Sequence, residues 1–393
     1  MRDRTGGLRR ALRVSALVVV IASAYAGGVA TGVMRSDDDE PAARHGVIDE
    51  AADRIATRAA SAVDREELER AAVEGMLSEL GDRWSSYYRP AEFRDFQSAL
   101  EGSYTGVGLW LRTTRAGSVE VGSVQADSPA ARGKVLAGDE ILAVDGHGAA
   151  GRPLAAVVSM LRGDHGTAVQ LTLHREGQAR TVTLVRARVE TVDVTIQSLQ
   201  GGLLRVRVAA FTRGVGREVR DALETDPAAR RGGVILDLRD NPGGLLDEAV
   251  EVASAFLDGG PVVTYERRGD QPRTLSALGT GDVSTPVVVL VDSGTASAAE
   301  VVAAALQDRN RAVIVGSRTF GKGSVQEPTR LSDGSAIELT VGRYRTPGGR
   351  VIDGTGIEPD VEVPAGSEPA IAERRAAEVL SGLLAALSST GRG

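Results

Sequence analysis

The chain has 393 residues, of which 42% are hydrophobic, and a formal net charge of −7 at pH 7. A chain of this length is expected to form two or three compact domains. It contains no cysteine, which excludes disulfides, thiol catalysis and cysteine-based metal sites, and the absence of a basic patch with interleaved aromatic residues argues against nucleic-acid binding.

Residues 1–34 predict export. Residues 1–13 form a short basic tail, and residues 14–34 follow as 21 positions without a charge. Such a run can span a hydrocarbon core of about 30 Å, and the arginines before it and acids after it place the N-terminus in the cytoplasm and the body outside. A cleaved signal peptide is the alternative, because Ala22-Ser-Ala24 and Ala24-Tyr-Ala26 match the cleavage pattern. The protein is thus predicted to be a single-pass cell-membrane protein, or a secreted one if the signal is cleaved.

Residues 35–101 are predicted to form a linker and a helical region. Ile48, Ile55 and Val63 make a loose apolar stripe, which favours helix. The segment DRWSSYYRPAEF then indicates a turn and an aromatic-rich helix. We assign this region a structural role rather than a catalytic one.

A different pattern marks residues 102–188. A glycine-rich start leads into a short strand, and a helical turn begins at Ser128. Another strand closes at Asp145-Gly146, a helix covers residues 153–161, and two alternating strands end the region. This order, with SPAARGKVLAGDEILAVDG as its signature, resembles a PDZ domain.

A PDZ domain implies recognition of a peptide C-terminus by strand addition. Backbone N–H groups of one loop are expected to hold the terminal carboxylate, while the peptide pairs with the strand that follows. The loop residues are Gly106, Val107, Gly108 and Leu109. Val157, Met160 or Leu161 is expected to offer an apolar pocket, although an ordinary core position is the alternative for each.

Residues 189–365 predict an α/β core, because strands and helices alternate. Apolar strands are expected at residues 203–208 and 232–238, and the second ends in RDNPGG before a helix. Glycines that open a helix leave backbone N–H groups unpaired and pointing outwards. Gly243 and Gly244 are therefore suited to stabilise an oxyanion, with a plain tight turn as the equal alternative.

The stretch from Asp292 to Gln326 is the centre of this core. Strands are expected at residues 287–291 and 312–315, on either side of an alanine-rich helix at about residues 296–307. Ser297 lies where strand turns into helix, and Lys322 lies in a glycine loop after the second strand. Both are loop positions at element ends, where proteins commonly place chemistry.

Lys322 stands out because only two of the 46 basic residues are lysines, the other being Lys134. A lysine kept in so arginine-rich a chain indicates an amine that must lose its proton, which arginine cannot do; chance survival is the alternative. No histidine follows His174, so a Ser-His-Asp triad within this half is excluded. A serine nucleophile here therefore requires an amine base.

Two competing motifs occur in the same stretch. Ser297-Ala-Ala-Glu300 fits a capping box, in which Ser297 only caps the helix. Residues 316–322 resemble a phosphate-binding loop, but Gly323 stands where a metal-binding Ser or Thr is required and no helical pattern follows. We therefore reject nucleotide binding and keep the capping box as the alternative for Ser297.

The motifs together resemble the carboxy-terminal processing peptidases, or tail-specific proteases, over residues 47–364. They are DRWSSYYRPAEF, the PDZ signature, LDLRDNPGG, GTASAAE, GSRTFGKGSVQ and YRTPGGRVIDGTGIEPD, in the family's order. The resemblance implies an α/β fold, with a crotonase/Clp-protease-like peptidase core, an inserted PDZ domain and an N-terminal helical region. The family's usual SASASE appears here as TASAAE, which leaves the nucleophile in place.

The resemblance also implies the catalytic roles: Ser297 as nucleophile, Lys322 as general base and Gln326 as the residue that orients the lysine. No cofactor and no metal are implied. The oxyanion hole would comprise backbone N–H groups of Gly243 or Gly244 and of Ala298.

Gln326 raises a question of distance. Four residues along a straight strand span about 13 Å, too far for the amide to touch the amine of Lys322. Contact therefore requires the backbone to bend near Gly323 or Ser324.

Residues 366–393 predict a final helix with Val379, Leu383 and Leu387 along one side. This helix would pack either on its own body or on a second copy of the chain. The sequence leaves both open, and with them a homo-oligomer.

The sequence thus predicts an exported serine endopeptidase. It would recognise protein or peptide substrates with apolar C-termini through the PDZ domain and cleave them with Ser297 and Lys322. A catalytically silent PDZ receptor that senses exported C-termini is the alternative. A crotonase-like acyl-transfer enzyme is weaker, because it leaves the peptide-binding module unexplained.

Overall fold

The computed structural model describes residues 46–114, 117–152, 154–225 and 230–390. The basic tail and the predicted span at residues 14–34 lie outside the described residues. Within the described ranges, no helix is both long enough and apolar enough to cross a bilayer. The chain divides into two compact units, residues 1–79 and 80–393.

In the described part of the first unit, residues 46–79, the helices are α1 (Val47–Arg58) and α2 (Arg65–Glu79). Arg65 joins them, because its guanidinium pairs with Asp53 and lies 3.6 Å from Asp49, both on α1. It also bonds to Glu69 on its own helix at 2.7 Å. These side chains are largely exposed, so each pair contributes little stability, about 1 kcal/mol or less.

The second unit opens with β1 (Ser86–Tyr88) and α3 (Pro90–Leu100) and continues into a small β-domain. The elements of this domain are β2 (Ser103–Gly106), β3 (Leu109–Thr113), β4 (Val119–Val124), α4 (Pro129–Arg132), β5 (Glu140–Val144), β6 (His147–Gly148), α5 (Leu154–Leu161), β7 (Ala168–Arg175), β8 (Gln178–Val185) and β9 (Ala187–Glu190).

The sheet of the small domain runs in the order β3-β4-β5-β7-β8, so β3 is an edge strand. Alternating apolar residues of β4 and β7, including Val121, Leu171 and Leu173, are buried in one cluster with residues of α5. β2 pairs antiparallel with β9. Because β2 and β9 are the first and last strands of the domain, this pairing brings its two ends together, as expected of an inserted module.

The larger domain alternates strands and helices. Its elements are β10 (Val194–Leu199), β11 (Leu203–Val208), α6 (Val215–Thr225), β12 (Gly233–Asp237), α7 (Leu246–Ser254), β13 (Pro261–Arg267), β14 (Arg273–Ser276), β15 (Val287–Val291), α8 (Ala298–Asp308), β16 (Ala312–Gly316), β17 (Ser324–Arg330), β18 (Ala336–Arg345), β19 (Val361–Glu362) and α9 (Pro369–Thr390).

The main sheet has the order β10-β11-β12-β15-β16-β19 and is parallel from β11 onwards. Its central strands β12 and β15 are buried at every residue, as near-continuous apolar runs require when both faces of a sheet are covered. Helices α6, α7 and α8 pack on one face and α9 on the other.

Helix α9 packs on its own body. Ala372, Ala376 and Leu380 are buried against the sheet in one apolar cluster, with Val379 and Leu383 beside them. The first of the two sequence alternatives is therefore observed. Leu387, the third residue of the predicted stripe, is 56% exposed.

A second, antiparallel sheet has the order β1-β18-β13-β14, and β17 also pairs with β18. Strand β1 pairs with β18 from Ser86 opposite Glu338 to Tyr88 opposite Ala336. A segment that the sequence assigned to a helical, purely structural region thus supplies a strand that pairs with β18. Strand β18 also pairs with β17, which follows the loop that carries Lys322.

Candidate functional site

The nucleophile candidate lies at a tightly bonded turn between β15 and α8. The carboxylate of Asp292 accepts N–H bonds from Gly294 (2.9 Å) and Thr295 (3.1 Å), and the Thr295 hydroxyl donates to the Leu238 carbonyl at 2.8 Å. Ser297 follows with φ +55° and ψ −120°, directly before α8. A positive φ is uncommon for a residue other than glycine and costs about 1–3 kcal/mol, so the surrounding bonds hold Ser297 in a strained conformation.

Glu300 links this turn to the lysine loop. Its side chain is fully buried, and Oε2 accepts the N–H groups of Ser297 (2.9 Å) and Lys322 (2.8 Å). Oε1 accepts the hydroxyl of Thr319 (2.5 Å) and the N–H of Gly321 (2.8 Å). One carboxylate therefore sets the separation between the two segments that carry Ser297 and Lys322.

Of the capping box predicted for Ser297, the structure contains the bond that the Glu300 side chain accepts. Glu300 bonds back to the N–H of Ser297 as a capping box requires. The N–H of Glu300 in turn donates to the carbonyl oxygen of Ser297 at 2.9 Å. A cap of this kind is compatible with a nucleophilic hydroxyl. The sequence signal for the wider role of Glu300 was its position as a single charge within the apolar helix AAEVVAAAL.

The amine of Lys322 is partly buried in the loop between β16 and β17. Burial lowers its pKa from the ordinary value of a lysine, while the carboxylates of Glu338 and Asp82 oppose that shift. Nζ lies 4.7 Å from the ring centre of Trp84. Among the described residues, no hydrogen-bond acceptor is bound to Nζ, so Ser297 and Lys322 share a scaffold without a direct side-chain bond.

Trp84 is the residue of this site that the sequence analysis missed. Its ring contacts both the Lys322 amine and the ring of Phe320, whose centre is 5.8 Å away in an edge-to-face arrangement. The signal was available, because Trp84 is one of only two tryptophans and belongs to a motif quoted for the family resemblance. What the sequence could not show is the pairing of β1 with β18 that brings it here.

The side chain of Gln326 makes no hydrogen bond to Lys322 in this structure. A register shift between Val325 and Gln326 bends β17, one residue beyond the place that the sequence predicted. The Gln326 amide donates to the hydroxyls of Ser324 (2.7 Å) and Thr340 (3.2 Å). The predicted contact with Lys322 is thus not made in this structure. Both bonds of the Gln326 side chain involve Nε2, which leaves Oε1 as the atom that can accept a bond from the amine.

The NPGG turn lies directly against Ser297. A Cβ built on Gly243 would be 2.9 Å from Cβ of Ser297 and 3.1 Å from the nitrogen of Ala298, so only glycine permits this approach. However, the Gly243 N–H donates to Oδ1 of Asn241 at 2.8 Å, which corrects its assignment as an oxyanion donor. Within the described chain, the N–H groups of Gly244 and Ala298 have no hydrogen-bond acceptor, so these two are the available donors.

Beside this turn, a cavity of about 330 Å³ opens next to Gln326. Its apolar lining comes from four residues and its rim carries charges of both signs. The apolar residues are Leu246, Tyr265, Leu275 and Val325, and the charged ones are Asp247, Arg267, Arg273 and Glu327. The cavity is large enough to receive a substrate side chain close to the turn.

The small domain presents the predicted loop before an edge strand. Gly108 has φ +78°, and a Cβ there would lie 2.1 Å from Cβ of Ser128, so the loop needs glycine at this position. The carbonyls of Val107 and Gly108 accept N–H bonds from Ala130 (2.9 Å) and Gln125 (3.0 Å). Leu109 then begins β3, whose outer edge is unpaired in the described sheet.

Two of the residues predicted for the peptide pocket belong to the domain core instead. Val157 is 0% and Leu161 5% exposed, and both pack in the cluster formed with β4 and β7. Helix α5 turns this face towards the sheet, which explains why the core alternative applies to them. Met160 and Leu154 are only partly buried, as is Val158, so α5 retains apolar surface that is not enclosed in the core.

Comparisons with known proteins agree with these observations. Residues 202–363 match the model of peptidase family S41, and residues 120–175 match that of a PDZ domain. The chain is 37% identical over 318 residues to a carboxy-terminal-processing protease of Bartonella bacilliformis, across 79% of this chain and 73% of that protein. It is also 34% identical over 308 residues to a probable CtpA-like serine protease of Staphylococcus saprophyticus. This match covers 78% of this chain and 62% of that protein.

Among solved structures, the chain resembles the photosystem II D1 C-terminal processing protease. The two superimpose with a TM-score of 0.52 at 32% identity, over 83% of this chain and 89% of the other. The family resemblance and the α/β fold with a PDZ domain, both predicted from the sequence, are thereby confirmed.

Proposed function

The chain belongs to peptidase family S41 and is a serine protease of the carboxy-terminal-processing type with a PDZ domain, and from this premise we propose that Ser297 is its nucleophile and Lys322 its general base. The observation that carries the proposal is the shared carboxylate of Glu300, which bonds to the backbone N–H of both residues. A buried glutamate that ties together one serine and one lysine, in a half of the chain without histidine, supports a Ser-Lys dyad.

The proposed reaction proceeds through an acyl-enzyme. The hydroxyl of Ser297 attacks the scissile carbonyl, and Lys322, in its neutral form, takes the hydroxyl proton. The tetrahedral oxyanion is stabilised by the free N–H groups of Gly244 and Ala298. The protonated Lys322 then passes its proton to the leaving amine of the substrate. In the second half of the reaction, neutral Lys322 takes a proton from a water that attacks the ester, and it returns this proton to the Ser297 oxygen as the new C-terminus leaves.

Gln326 is proposed to orient the amine during this cycle. Its Nε2 is held by two hydroxyls, which directs Oε1 as an acceptor for the amine of Lys322. The bond that the predicted role requires would form when the lysine side chain turns towards Oε1.

We propose further that the PDZ domain selects substrates by an apolar C-terminus. The unpaired edge of β3 can add a peptide strand, and the partly buried Leu154 and Met160 offer apolar surface beside it.

We also propose that the body of the protein is exported, with residues 14–34 as a membrane anchor or a cleaved signal. Protease added to intact cells should reach the body while a cytoplasmic control stays protected; equal protection of both would contradict export.

The test is proteolysis of an unfolded protein with an apolar C-terminus by the purified chain. The wild-type protein should release fragments with new C-termini, detected by mass spectrometry, whereas Ser297→Ala should bind the substrate and leave it intact. Ser297→Ala keeps the backbone N–H that bonds to Glu300, so it should cost no more than the range of about 0.5–2 kcal/mol for a lost cap, measured by urea unfolding. Binding without cleavage by the wild type would indicate a silent receptor, and full activity of folded Ser297→Ala would leave Ser297 only its capping role.

A further inference from the structure

The amine of the proposed base rests on an aromatic ring. Lys322 Nζ lies 4.7 Å from the ring centre of Trp84, within the range of about 6 Å in which a cation and an aromatic face attract each other. The guanidinium of Arg83 lies 4.6 Å from the same ring, and the ring of Phe320 meets it edge to face. The ring therefore covers the amine from one side.

The backbone around Trp84 is fixed by hydrogen bonds. The N–H of Trp84 donates to Asp82 at 3.1 Å, and the Ser85 hydroxyl donates to the same carboxylate at 2.5 Å. The N–H of Thr340 on β18 then donates to the Ser85 hydroxyl at 3.2 Å. Together with the pairing of β1 and β18, these bonds hold the indole at the site.

We propose that Trp84 is a positioning residue for the general base, whose indole face shields the Lys322 amine from water and sets how readily it loses its proton. This inference rests on the proposed role of Lys322. Two opposed effects follow from the contact. Exclusion of water disfavours the charged amine, whereas the electron-rich face favours it.

Other charges also face the amine and enter the balance. Glu338 on β18 and Asp82 in the turn before β1 favour the protonated form. Arg83 lies on the same ring, and the carboxylate of Glu300 bonds to the lysine backbone. All of these stay in place when only the indole is changed, so variants at Trp84 isolate the contribution of the ring.

The two effects can be separated by three substitutions. Trp84→Phe keeps an aromatic face and should leave the titration of Lys322 close to that of the wild type. Trp84→Leu keeps an apolar cover over the amine but lacks the electron-rich aromatic face. The titration midpoint of Lys322 should therefore fall, by about half a pH unit or more. Trp84→Ala admits water, so the midpoint should rise by a similar amount towards that of a free lysine.

The chain allows a direct measurement, because Lys134 and Lys322 are its only lysines. Lysine labelled with ¹³C and ¹⁵N gives two side-chain signals in the full-length Ser297→Ala protein, and Lys134→Arg identifies which is which. The Lys134 signal serves as the internal control for comparing the variants. Thermal melting confirms that each variant is folded, and the conservative Trp84→Phe keeps the test available if a smaller side chain unfolds the protein.

The pH dependence of kcat/KM in the active background should move with the NMR midpoint. A Lys322 midpoint that is unchanged in both Trp84→Ala and Trp84→Leu overturns the inference, as does an upward shift in Trp84→Leu equal to that in Trp84→Ala. The failure of the proposed base itself looks different, because Lys322→Arg would then remain active whatever residue occupies position 84.

Discussion

Ser297 and Lys322 are held by the same oxygen atom, since their backbone N–H groups donate to Oε2 of Glu300 at 2.9 and 2.8 Å. The proposed nucleophile and the proposed base come from different loops, 25 residues apart in the sequence, and neither side chain bonds to the other in this structure. Their alignment therefore depends on a residue that takes no part in the chemistry.

Glu300→Gln should impair both stability and turnover. An amide has one acceptor oxygen instead of two, so two of the four donors that now bond to the carboxylate would face an NH₂ group in a fully buried site. Leaving buried donors unpaired should lower the free energy of unfolding by about 2–4 kcal/mol, measured by urea denaturation. Glu368→Gln, at an exposed position before α9, is the matched control, and equal stability of the two variants would contradict the scaffold role.

The sequence predicted the central strand–helix–strand unit closely, because apolar runs and an alanine-rich helix are local signals. The strands at 287–291 and 312–315 and the helix near 296–307 agree with β15, β16 and α8 within two residues. The fold of the small domain was equally accessible, since its signature is a long continuous motif.

The contacts that the sequence could not show are those between distant segments. Trp84 reaches Lys322 only because β1 joins the sheet of β18, a pairing between residues about 250 positions apart. The side-chain bonds of Asn241 and Gln326 likewise depend on exact neighbours, and Val157 was assigned to a pocket because its side of α5 was unknown. Periodicity identifies an apolar face but not the element that covers it.

Asn241→Ala should lower kcat with little change in KM. The Asn241 side chain is fully buried, donates to the Val208 carbonyl at 2.9 Å and accepts the N–H of Gly243. Its loss would release the turn that positions the Gly244 N–H, and small displacements of a catalytic group can cost about 100-fold in rate. Steady-state kinetics with one peptide substrate provide the measurement. A rise in KM at constant kcat would mean that the turn binds substrate without stabilising the transition state.

A charged residue at the C-terminus of a good substrate should slow its cleavage. The proposed groove offers apolar surface from Leu154 and Met160, and a charged side chain would lose hydration there without a partner. Competing substrates that differ only in their last residue, compared by initial rates, test this. The same charge placed ten residues from the C-terminus is the control. Equal rates for apolar and charged tails would show that the domain does not select by the last side chain.

Val157→Ala separates the core from the groove. Because Val157 is fully buried, its truncation should destabilise the small domain by about 1–3 kcal/mol and leave the preference for the last residue unchanged. Differential scanning calorimetry reports the first effect and the competition assay the second. A changed preference in a stable variant would restore Val157 to the peptide pocket.

Lys322→Arg should be inactive although it keeps the positive charge, because arginine does not lose its proton in proteins. In the wild type, burial lowers the pKa of the Lys322 amine, so activity should rise with pH through one ionisation below the usual lysine value near 10.4. Between the lowered pKa of the folded protein and the ordinary pKa of the unfolded chain, the unfolded chain binds more protons than the folded one. The free energy of unfolding should therefore rise with pH in this range. Lys322→Met removes both the base and the cost of burying a charge.

This variant should therefore be as inactive as Lys322→Arg, at least as stable as the wild type at neutral pH, and free of the pH dependence of stability that Lys322 confers. Activity is measured with the unfolded substrate, and stability by urea unfolding from pH 6 to 10. Lys134→Arg, at an exposed position, is the matched control and should keep full activity. Turnover by Lys322→Arg near the wild-type rate would show that the proton of Ser297 leaves by another route, and the Ser-Lys assignment would then be wrong.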